Sequence, residues 1–584
     1  MGEMALIHIE SFPRQTTKSD LLSFLNSVPG MDRQRVARID LLGDKAVMEV
    51  PDGWQARLAQ ALDGQPLGGR RVRVWAEGPA DGESSGEDHF ARFTRLLDRE
   101  SQAEARVAAE RSRQLSPAEA ERAGNTLVNL VIADEESGLG GRHILQLAKR
   151  SRAPLPWTRL GVGSPVVLSP DKGKSEDGYR GVVCERANGF LRVALARMLE
   201  ETDGDDTWRL DLSTDEIAGQ RQRAALQRAR LAQADRLAEL RDVLLGRRAP
   251  EFASERDDPA LDSELNDAQR EAVRFALAAR EVAWIHGPPG TGKTTAVVEV
   301  IRGAIRHGEK VLACAPSNLA VDNVFERLLA AGARAVRLGH PARVMADLRA
   351  HTLDLLVEEH QDVRLARKLV KEAMGLFRQA GRYTRAKPLP GERRQTREEA
   401  RNLLADARRL EAQAVEHILD TADVLCATTT ALDSELLGRR RFDLGVIDEA
   451  CQSSEPGCWV PLQWCNRFVL AGDHRQLPPT VIDPDAAVGG LGVSLFERLM
   501  VLHGPSISRM LTVQYRMHYA IMAFSSRELY EDKLQADPSV REHVLSDLPG
   551  VADSDAAQSP VEFIDTAGAG FDEEVEPDGE SRLN

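Results

Sequence analysis

The stretch Gly287-Pro288-Pro289-Gly290-Thr291-Gly292-Lys293-Thr294 constrains this chain more than any other. It lies between an apolar run, Val282-Ala283-Trp284-Ile285, and a segment of helical patterning over 295–305. Strand, glycine-rich turn and helix, in that order, make a cradle for a polyphosphate. The glycines let the backbone curl so that successive N–H groups point inward, and the helix N-terminus adds the positive end of its dipole. Lys293 is placed to reach the β- and γ-phosphates and the Thr294 hydroxyl to ligate magnesium. The chain is expected to bind a nucleoside triphosphate.

The runs that follow support an α/β core. Residues 311–315 end in Pro316-Ser317-Asn318, 424–427 in Thr428-Thr429-Thr430, 444–447 in Asp448-Glu449-Ala450-Cys451, and 468–471 in Gly472-Asp473-His474-Arg475-Gln476. Apolar strands alternating with helices, each ending in polar residues, predict a parallel sheet with its site at the carboxyl ends. Two adjacent acids are common on any surface. After a buried strand and beyond a phosphate loop, Asp448 and Glu449 become the second half of the site. Asp448 holds Mg²⁺ through its water shell, and Glu449 polarises the attacking water as general base.

At 584 residues a single core is excluded. Residues 1–77 read as a βαββαβ unit, with strands at 6–10, 36–41, 46–50 and 71–75 and helices at 18–27 and 54–62. A polar linker covers 78–89. A helical stalk over 90–154, with a further helix starting at Ser116-Pro117-Ala118-Glu119, leads to a small β-barrel over 155–212. One long stalk helix returns over 213–250. The sheet core takes 251–344 and 421–504, interrupted by a helical insertion at 345–420, and a further α/β domain opens over 505–584 with a strand at 561–565.

The net charge of −15 argues against a polyanionic partner only as an average. Residues 364–401 carry twelve Lys/Arg against four Asp/Glu, a local +8, whereas 572–580 holds six acids and no base. Local fields decide where a polyanion lands. No apolar run approaches ~18 residues, so no membrane partner is expected. Cys451, Cys458 and Cys465 fall seven apart, with neither C-x2-C spacing nor an intervening histidine. They read as buried thiols of a reducing cytoplasm.

The series 287–294, Ala315-Pro316-Ser317-Asn318-Leu319-Ala320-Val321-Asp322, Asp448-Glu449-Ala450-Cys451, Leu470-Ala471-Gly472-Asp473-His474-Arg475-Gln476-Leu477-Pro478-Pro479 and Val513-Gln514-Tyr515-Arg516-Met517-His518 resembles a superfamily-one helicase. The likeness is to the up-frameshift and immunoglobulin-mu-binding-protein, or DNA2/NAM7-like, group, and runs from about residue 90 to 584. It implies an α/β multidomain fold, with a P-loop RecA-like core, a barrel on a stalk, a helical insertion and a second RecA-like domain. It implies ATP and Mg²⁺ as ligands, single-stranded RNA or DNA as partner, and 5′→3′ movement by a monomeric motor.

The same resemblance implies residue roles. Gln269 reads the adenine edge, Tyr515 stacks on the base, and Thr295 joins the phosphate loop in holding the nucleotide. Gln476 couples the γ-phosphate to the neighbouring domain, and Arg516 is an arginine finger. Ser317, Asn318, Thr428, Pro478 and Pro479 lie along the strand, although Ser317-Asn318 would cap a helix in either case. By the same resemblance, residues 505–584 are expected to begin the second RecA-like domain and to stop short of its last two motifs, either because the sequence is a fragment or because the motor is partial. A partial motor implies ATP binding with impaired turnover, and keeps an ATP-gated nucleic-acid clamp as the alternative to a helicase. Residues 5–76 resemble an RNA-recognition-motif fold of the divergent kind appended to some bacterial DEAD-box helicases. The third strand, Lys45-Ala46-Val47-Met48-Glu49-Val50, has no stacking aromatic. RNA binding and a protein-contact or spacer role both stay open.

Overall fold

The computed structural model describes residues 4–10, 12–13, 16–25, 39–42, 45–51, 58, 62, 65–68, 70–76, 88–114, 120–121, 124–137, 143–171, 178–195, 207–212, 216–254, 264–381, 392–563, 565–566, 574–575 and 582–583. It divides into a small unit, Met1–Arg92, and a large one, Phe93–Asn584.

The large unit is built on a seven-stranded sheet. Its strands are β1 (Val282–His286), β2 (Val311–Ala315), β3 (Ala335–Arg337), β4 (Val424–Thr428), β5 (Leu444–Ile447), β6 (Phe468–Gly472) and β7 (Ser508–Met510). They pair in parallel throughout, in the order β3-β4-β2-β5-β6-β1-β7. Every residue of β1, β2, β5 and β6 is buried, the pattern of a sheet covered on both faces. Helices α1 (Asp267–Ala278), α2 (Lys293–Arg306) and α3 (Asn318–Ala330) cover one face, packing Phe275, Val300, Ile301, Phe325 and Leu328 onto Ile285, Ala313, Val446 and Val469. On β1, Trp284 stacks on Phe496 with ring centroids 4.3 Å apart.

Two strands depart from expectation. β3 is three residues long, too short for a periodic signal. β7 lies in the stretch assigned to a second domain from 505, yet it pairs with β1, and the Trp284 N–H donates to the Ile507 carbonyl at 2.7 Å. Its residues Ser508-Arg509-Met510 are half-buried and carry no apolar run. Beyond it, Val513–Gln514 pairs in parallel with Gln535–Ala536, and a helix spans Tyr519–Leu529. The strand expected at 561–565 is absent from its described residues. Val561, Glu562 and Phe563 are irregular and exposed, and no strand among the described residues pairs with them.

The barrel is closed and six-stranded, and it starts earlier than the sequence reading put it. Strands Thr126–Ser137 and His143–Lys149 lie within the span assigned to the helical stalk. Burial alternates residue by residue from His143 to Lys149, which sends Leu145 and Leu147 into the barrel core with Leu127 and Leu130. Strands Pro165–Pro170, Tyr179–Arg186, Phe190–Leu195 and Trp208–Leu212 complete it. The outgoing stalk is the helix His89–Gln114; most of the helix expected from 116 lies outside the described residues. The returning stalk is two helices, Glu216–Leu231 and Arg236–Leu244, not one. Ala234 adopts φ 51°, and Asp235 caps the second helix by accepting from the Ala238 N–H. The insertion is a helical hairpin, Gln361–Gly381 and Glu392–Thr421. Ala366 and Ala373 on one helix, and Ala400, Ala407 and Ala414 on the other, are buried at heptad spacing, forming a close-packed seam. Arg364, Arg367, Lys368, Lys371 and Arg378 face solvent, while Arg382, Arg385 and Lys387 lie outside the described residues.

In the small unit, strands Ile39–Leu42, Lys45–Pro51, Met4–Glu10 and Arg73–Ala76 form an antiparallel sheet in that order, with helix Lys18–Leu25. Ile7, Ile9, Leu21, Met48 and Val74 make its core. Of the helix expected at 54–62, Leu58 and Leu62 are helical and buried, and the rest lies outside the described residues, as do 78–87 of the linker. Among the described residues no helix is long and apolar enough to cross a membrane.

Candidate functional site

The phosphate loop joins β1 to α2. Gly290 and Gly292 take φ 77° and 75°, a region cheap only for glycine. A Cβ on Gly287 would come within 2.7 Å of the Lys293 side chain. The turn is closed by Thr291, whose hydroxyl donates to the Pro288 carbonyl at 2.8 Å. Lys293 opens α2, and its ammonium meets Glu449 Oε1 at 2.6 Å. Next to it, the Thr294 hydroxyl lies 3.3 Å from Asp448 Oδ2. Asp448 and Glu449 leave the end of β5, and Glu449 is held at φ 54°, a conformation uncommon for any residue with a side chain. Burial pushes the Asp448 carboxyl above its ordinary range, against the pull of the Lys293 charge.

These residues fit a magnesium ion. The Thr294 hydroxyl and the Asp448 carboxylate set two oxygens 3.3 Å apart beside the phosphate loop, a donor set that suits a hydrated magnesium ion. A cation there would relieve the burial of the carboxylate. The glycine cradle and Lys293 fit the phosphates of a nucleotide in the same way.

The opposite wall is already in contact. The Tyr515 N–H donates to the Gly290 carbonyl at 2.8 Å, and a Cβ on Gly290 would fall 2.6 Å from Arg516 Cβ. Gln514, fully buried, accepts from the Arg516 and Met517 N–H groups with one amide oxygen. Tyr515 and Arg516 themselves are exposed. The Tyr515 hydroxyl accepts from Asn266 Nδ2 at 2.9 Å. Gln269 is committed differently from the role the resemblance implies. It forms a capping box with Asn266, and its Nε2 donates to the Thr291 carbonyl, so both ends of its amide are engaged. Thr295 keeps its hydroxyl beside the loop, 3.8 Å from where a Cβ on Gly292 would stand, and accepts there from Arg327 on α3 at 2.9 Å.

Gln476 follows β6 and donates to Asp473 Oδ2 at 2.8 Å. Asp473 also accepts from His286 Nε2, the Tyr530 hydroxyl and the Arg475 N–H, so all four lone-pair positions of the carboxylate are taken. Burial alone would raise the Asp473 carboxyl; the donors of His286, Gln476 and Tyr530 outweigh it and hold the group well below the usual range. Burial, with His286 and Arg475, pushes the neighbouring His474 imidazole down to about 4. His286, Asp473 and His474 bring their ligating atoms within 4.8 Å of one another, but the saturated carboxylate makes this a hydrogen-bonded node, not an ion cage.

Ser317, Asn318 and Thr428 sit at the carboxyl ends of β2 and β4. Ser317 caps α3, accepting from the Ala320 N–H at 3.2 Å, and Thr428 is half-buried. Pro478 is exposed and Pro479 buried; between them and Gln476, Leu477 is 81% exposed. A cavity of about 410 Å³ separates the barrel, at Val162, Gly163 and Ser164, from Asn318 and Leu319 and from the segment Ala342-Arg343-Val344-Met345. Sequence reasoning missed Asn266, His286, Gln514 and Tyr530. Asn266 was findable, since Asn followed three residues later by Gln is a capping-box signature. His286 and Tyr530 act through contacts with Asp473, far from both in the chain, and Gln514 through its near neighbours Arg516 and Met517 in an irregular turn that no periodic signal marks.

Comparison with known proteins agrees with this geometry. Residues 264–484 and 491–584 match two AAA domain families, 91–213 match the helicase SMUBP-2/HCS1 1B domain, and 14–76 match the DbpA RNA binding domain. The DNA-binding protein SMUBP-2 of Mesocricetus auratus is 38% identical over 512 residues, covering 86% of this chain and 51% of that protein. The chain thus spans about half the length of such mammalian relatives. The DNA polymerase alpha-associated DNA helicase A of Schizosaccharomyces pombe is 32% identical, with 77% of this chain and 69% of that protein covered. An uncharacterized ATP-dependent helicase of Methanocaldococcus jannaschii is also 32% identical, with 70% and 67% covered. The phosphate loop, the acid pair, the wall at Tyr515 and Arg516 and these relatives together make the chain a member of the DNA2/NAM7-like group of superfamily-one helicases.

Proposed function

We propose that this chain is an ATP-driven motor on single-stranded RNA or DNA, moving 5′→3′ as a monomer in the reducing cytoplasm. One observation carries the reading: Lys293 and Thr294 from one strand end meet Asp448 and Glu449 from another, beside the loop that presents Arg516. On nucleotide binding the Lys293 ammonium exchanges Glu449 for phosphate oxygens, which frees Glu449 to orient and deprotonate a water. Thr294 and Asp448 would hold Mg²⁺, whose contribution is to neutralise charge on the β- and γ-phosphates. Gln269 turns to the adenine edge only by giving up its bond to the Thr291 carbonyl, while Tyr515 offers its ring to the base. Arg516 offsets charge on the transferring group, and Gln476 reports its presence through Asp473. Ser317, Asn318, Thr428, Pro478 and Pro479 line the strand path, with the basic hairpin adding phosphate contacts. The six cysteines are all free thiols, five of them buried, which suits a reducing compartment.

The test is ATP turnover with and without oligouridylate or oligothymidylate. Strand-stimulated turnover that disappears in Glu449→Gln and in Arg516→Ala supports the motor. Strand held more tightly with ATP, but with no turnover, marks an ATP-gated clamp instead. A wild-type chain that binds neither ATP nor strand refutes both.

A further inference from the structure

Asn318 opens α3, and the residue that decides which way its amide faces lies in one of the two three-residue strands of the sheet. Arg337, in β3, is 1% exposed. Its guanidinium donates from Nε to Asp322 Oδ1 at 2.9 Å, from Nη1 to the Leu338 carbonyl at 2.6 Å and from Nη2 to Asn318 Oδ1 at 2.9 Å. Asp322 is equally buried, and its other oxygen accepts from the Met345 N–H at 2.9 Å. Three of the five N–H donors of this guanidinium are therefore assigned to named acceptors, at least one from each nitrogen.

A guanidinium has donors and no acceptor. Asn318 can satisfy it only by turning its carbonyl oxygen inward, since the flipped amide would set N–H against N–H. The amide nitrogen is left on the other side, and it makes no hydrogen bond to another described residue. Asn318 also lines the cavity of about 410 Å³ between the barrel and the sheet. Across that cavity the Arg343 Nε donates to the Gly163 carbonyl at 2.9 Å, which fixes the barrel loop to the segment that Asp322 holds. An asparagine free to flip adapts to a donor or an acceptor. This one cannot.

We infer that Arg337 is a positioning residue that makes Asn318 a donor-only contact on the strand groove, so that the groove takes an acceptor there, a phosphate oxygen of the strand. The inference rests on the strand-binding reading above and adds what that reading lacks, the class of group met at this point and the residue that enforces it. A phosphate contact is blind to base and sugar, so RNA and DNA should feel it alike.

Asn318→Asp is the discriminating change. It keeps an oxygen for Arg337 and adds an acid in the first turn of a helix, where negative charge is favourable, so the fold is retained. It also replaces the outward N–H donors with a charged oxygen. The full chain is titrated into fluorescein-labelled oligouridylate and oligothymidylate, normalised to the fraction of the preparation that binds nucleotide. The expected result is a loss of about tenfold or more on both oligonucleotides, and a smaller loss for Asn318→Ala. Arg337→Lys keeps the charge opposite Asp322 but cannot reach all three acceptors. It should weaken strand binding in the parent and add nothing in the Asn318→Ala background, because its effect passes through that amide. Asn318→Asp that binds like the parent, a loss confined to oligouridylate, or additive effects of Arg337→Lys and Asn318→Ala would each overturn the inference. A parent chain that binds nucleotide but neither oligonucleotide removes the strand-binding reading itself, and this inference with it.

Discussion

The contact between Lys293 and Glu449 sets a measurable conflict at the phosphate loop. The ammonium and carboxylate meet at 2.6 Å, with side chains only 10% and 28% exposed. At an effective dielectric of about 20, two charges ~3 Å apart attract by roughly 5 kcal/mol before desolvation, and the net worth of such a partly buried pair falls to about 1–2 kcal/mol. That amount must be given up when Lys293 turns to phosphate. Glu449→Gln removes the charge while keeping the shape, and also removes a negative group facing the phosphates. ATP should therefore bind about 5–30-fold more tightly in the variant. Turnover should fall by about 10²–10⁴, the usual contribution of a general base. Equilibrium titration with a fluorescent ATP analogue, in Mg²⁺ and without strand, gives the first number, and single-turnover hydrolysis gives the second. A folded Glu449→Gln chain that binds ATP no better than the parent would refute the idea that Glu449 competes for Lys293.

Three further outcomes follow from other parts of the fold. Gly290→Ala should abolish high-affinity ATP binding, because its φ of 77° and the 2.6 Å approach to Arg516 Cβ leave no space for a methyl group; ATP titration checks it. His474, pushed down from 6.5 to about 4 in the fold, binds its proton more readily in the unfolded chain, so its contribution is intact above about pH 6.5 and fades as pH falls toward 4. Melting temperature should drop through that window in the parent and less so in His474→Gln. Replacing Arg364, Arg367, Lys368 and Lys371 together with alanine should flatten the salt dependence of strand affinity, by about 0.7 in log–log slope for every phosphate the hairpin had neutralised. An unchanged slope assigns the hairpin another task.

The parts legible in sequence were those whose signal is local. β2 and β5 fall where their apolar runs ended, since a strand buried on both faces must be apolar at every position. Lys293, Thr294, Asp448 and Glu449 converge because each is fixed to the end of such a strand. The barrel's first two strands were misread because they lie inside a region of charged helical composition, and the alternating pattern that marks the second of them runs for only seven residues. β7 escaped notice for the opposite reason: it is an edge strand, half-buried, with Ser and Arg where an interior strand would have Val or Ile. The bonds of Gln269 to Thr291, of Thr295 to Arg327 and of Arg337 to Asp322 and Asn318 span 15–32 residues of sequence, and no spacing rule reaches them.

β7 also bears on how the second wall of the site is assembled. Between Met510, the last residue of the first sheet, and Arg516 lie only Leu511, Thr512, Val513, Gln514 and Tyr515. Even fully extended, six residue steps reach ~20 Å, so the guanidinium is a short-leashed reactant and never a diffusing partner. The leash is itself pinned, by the Leu511 N–H on the His286 carbonyl and the Tyr515 N–H on the Gly290 carbonyl, both at 2.8 Å. Its local concentration at the phosphate loop is thereby set by covalent geometry, and the entropy of bringing the two walls together is already surrendered when the sheet folds.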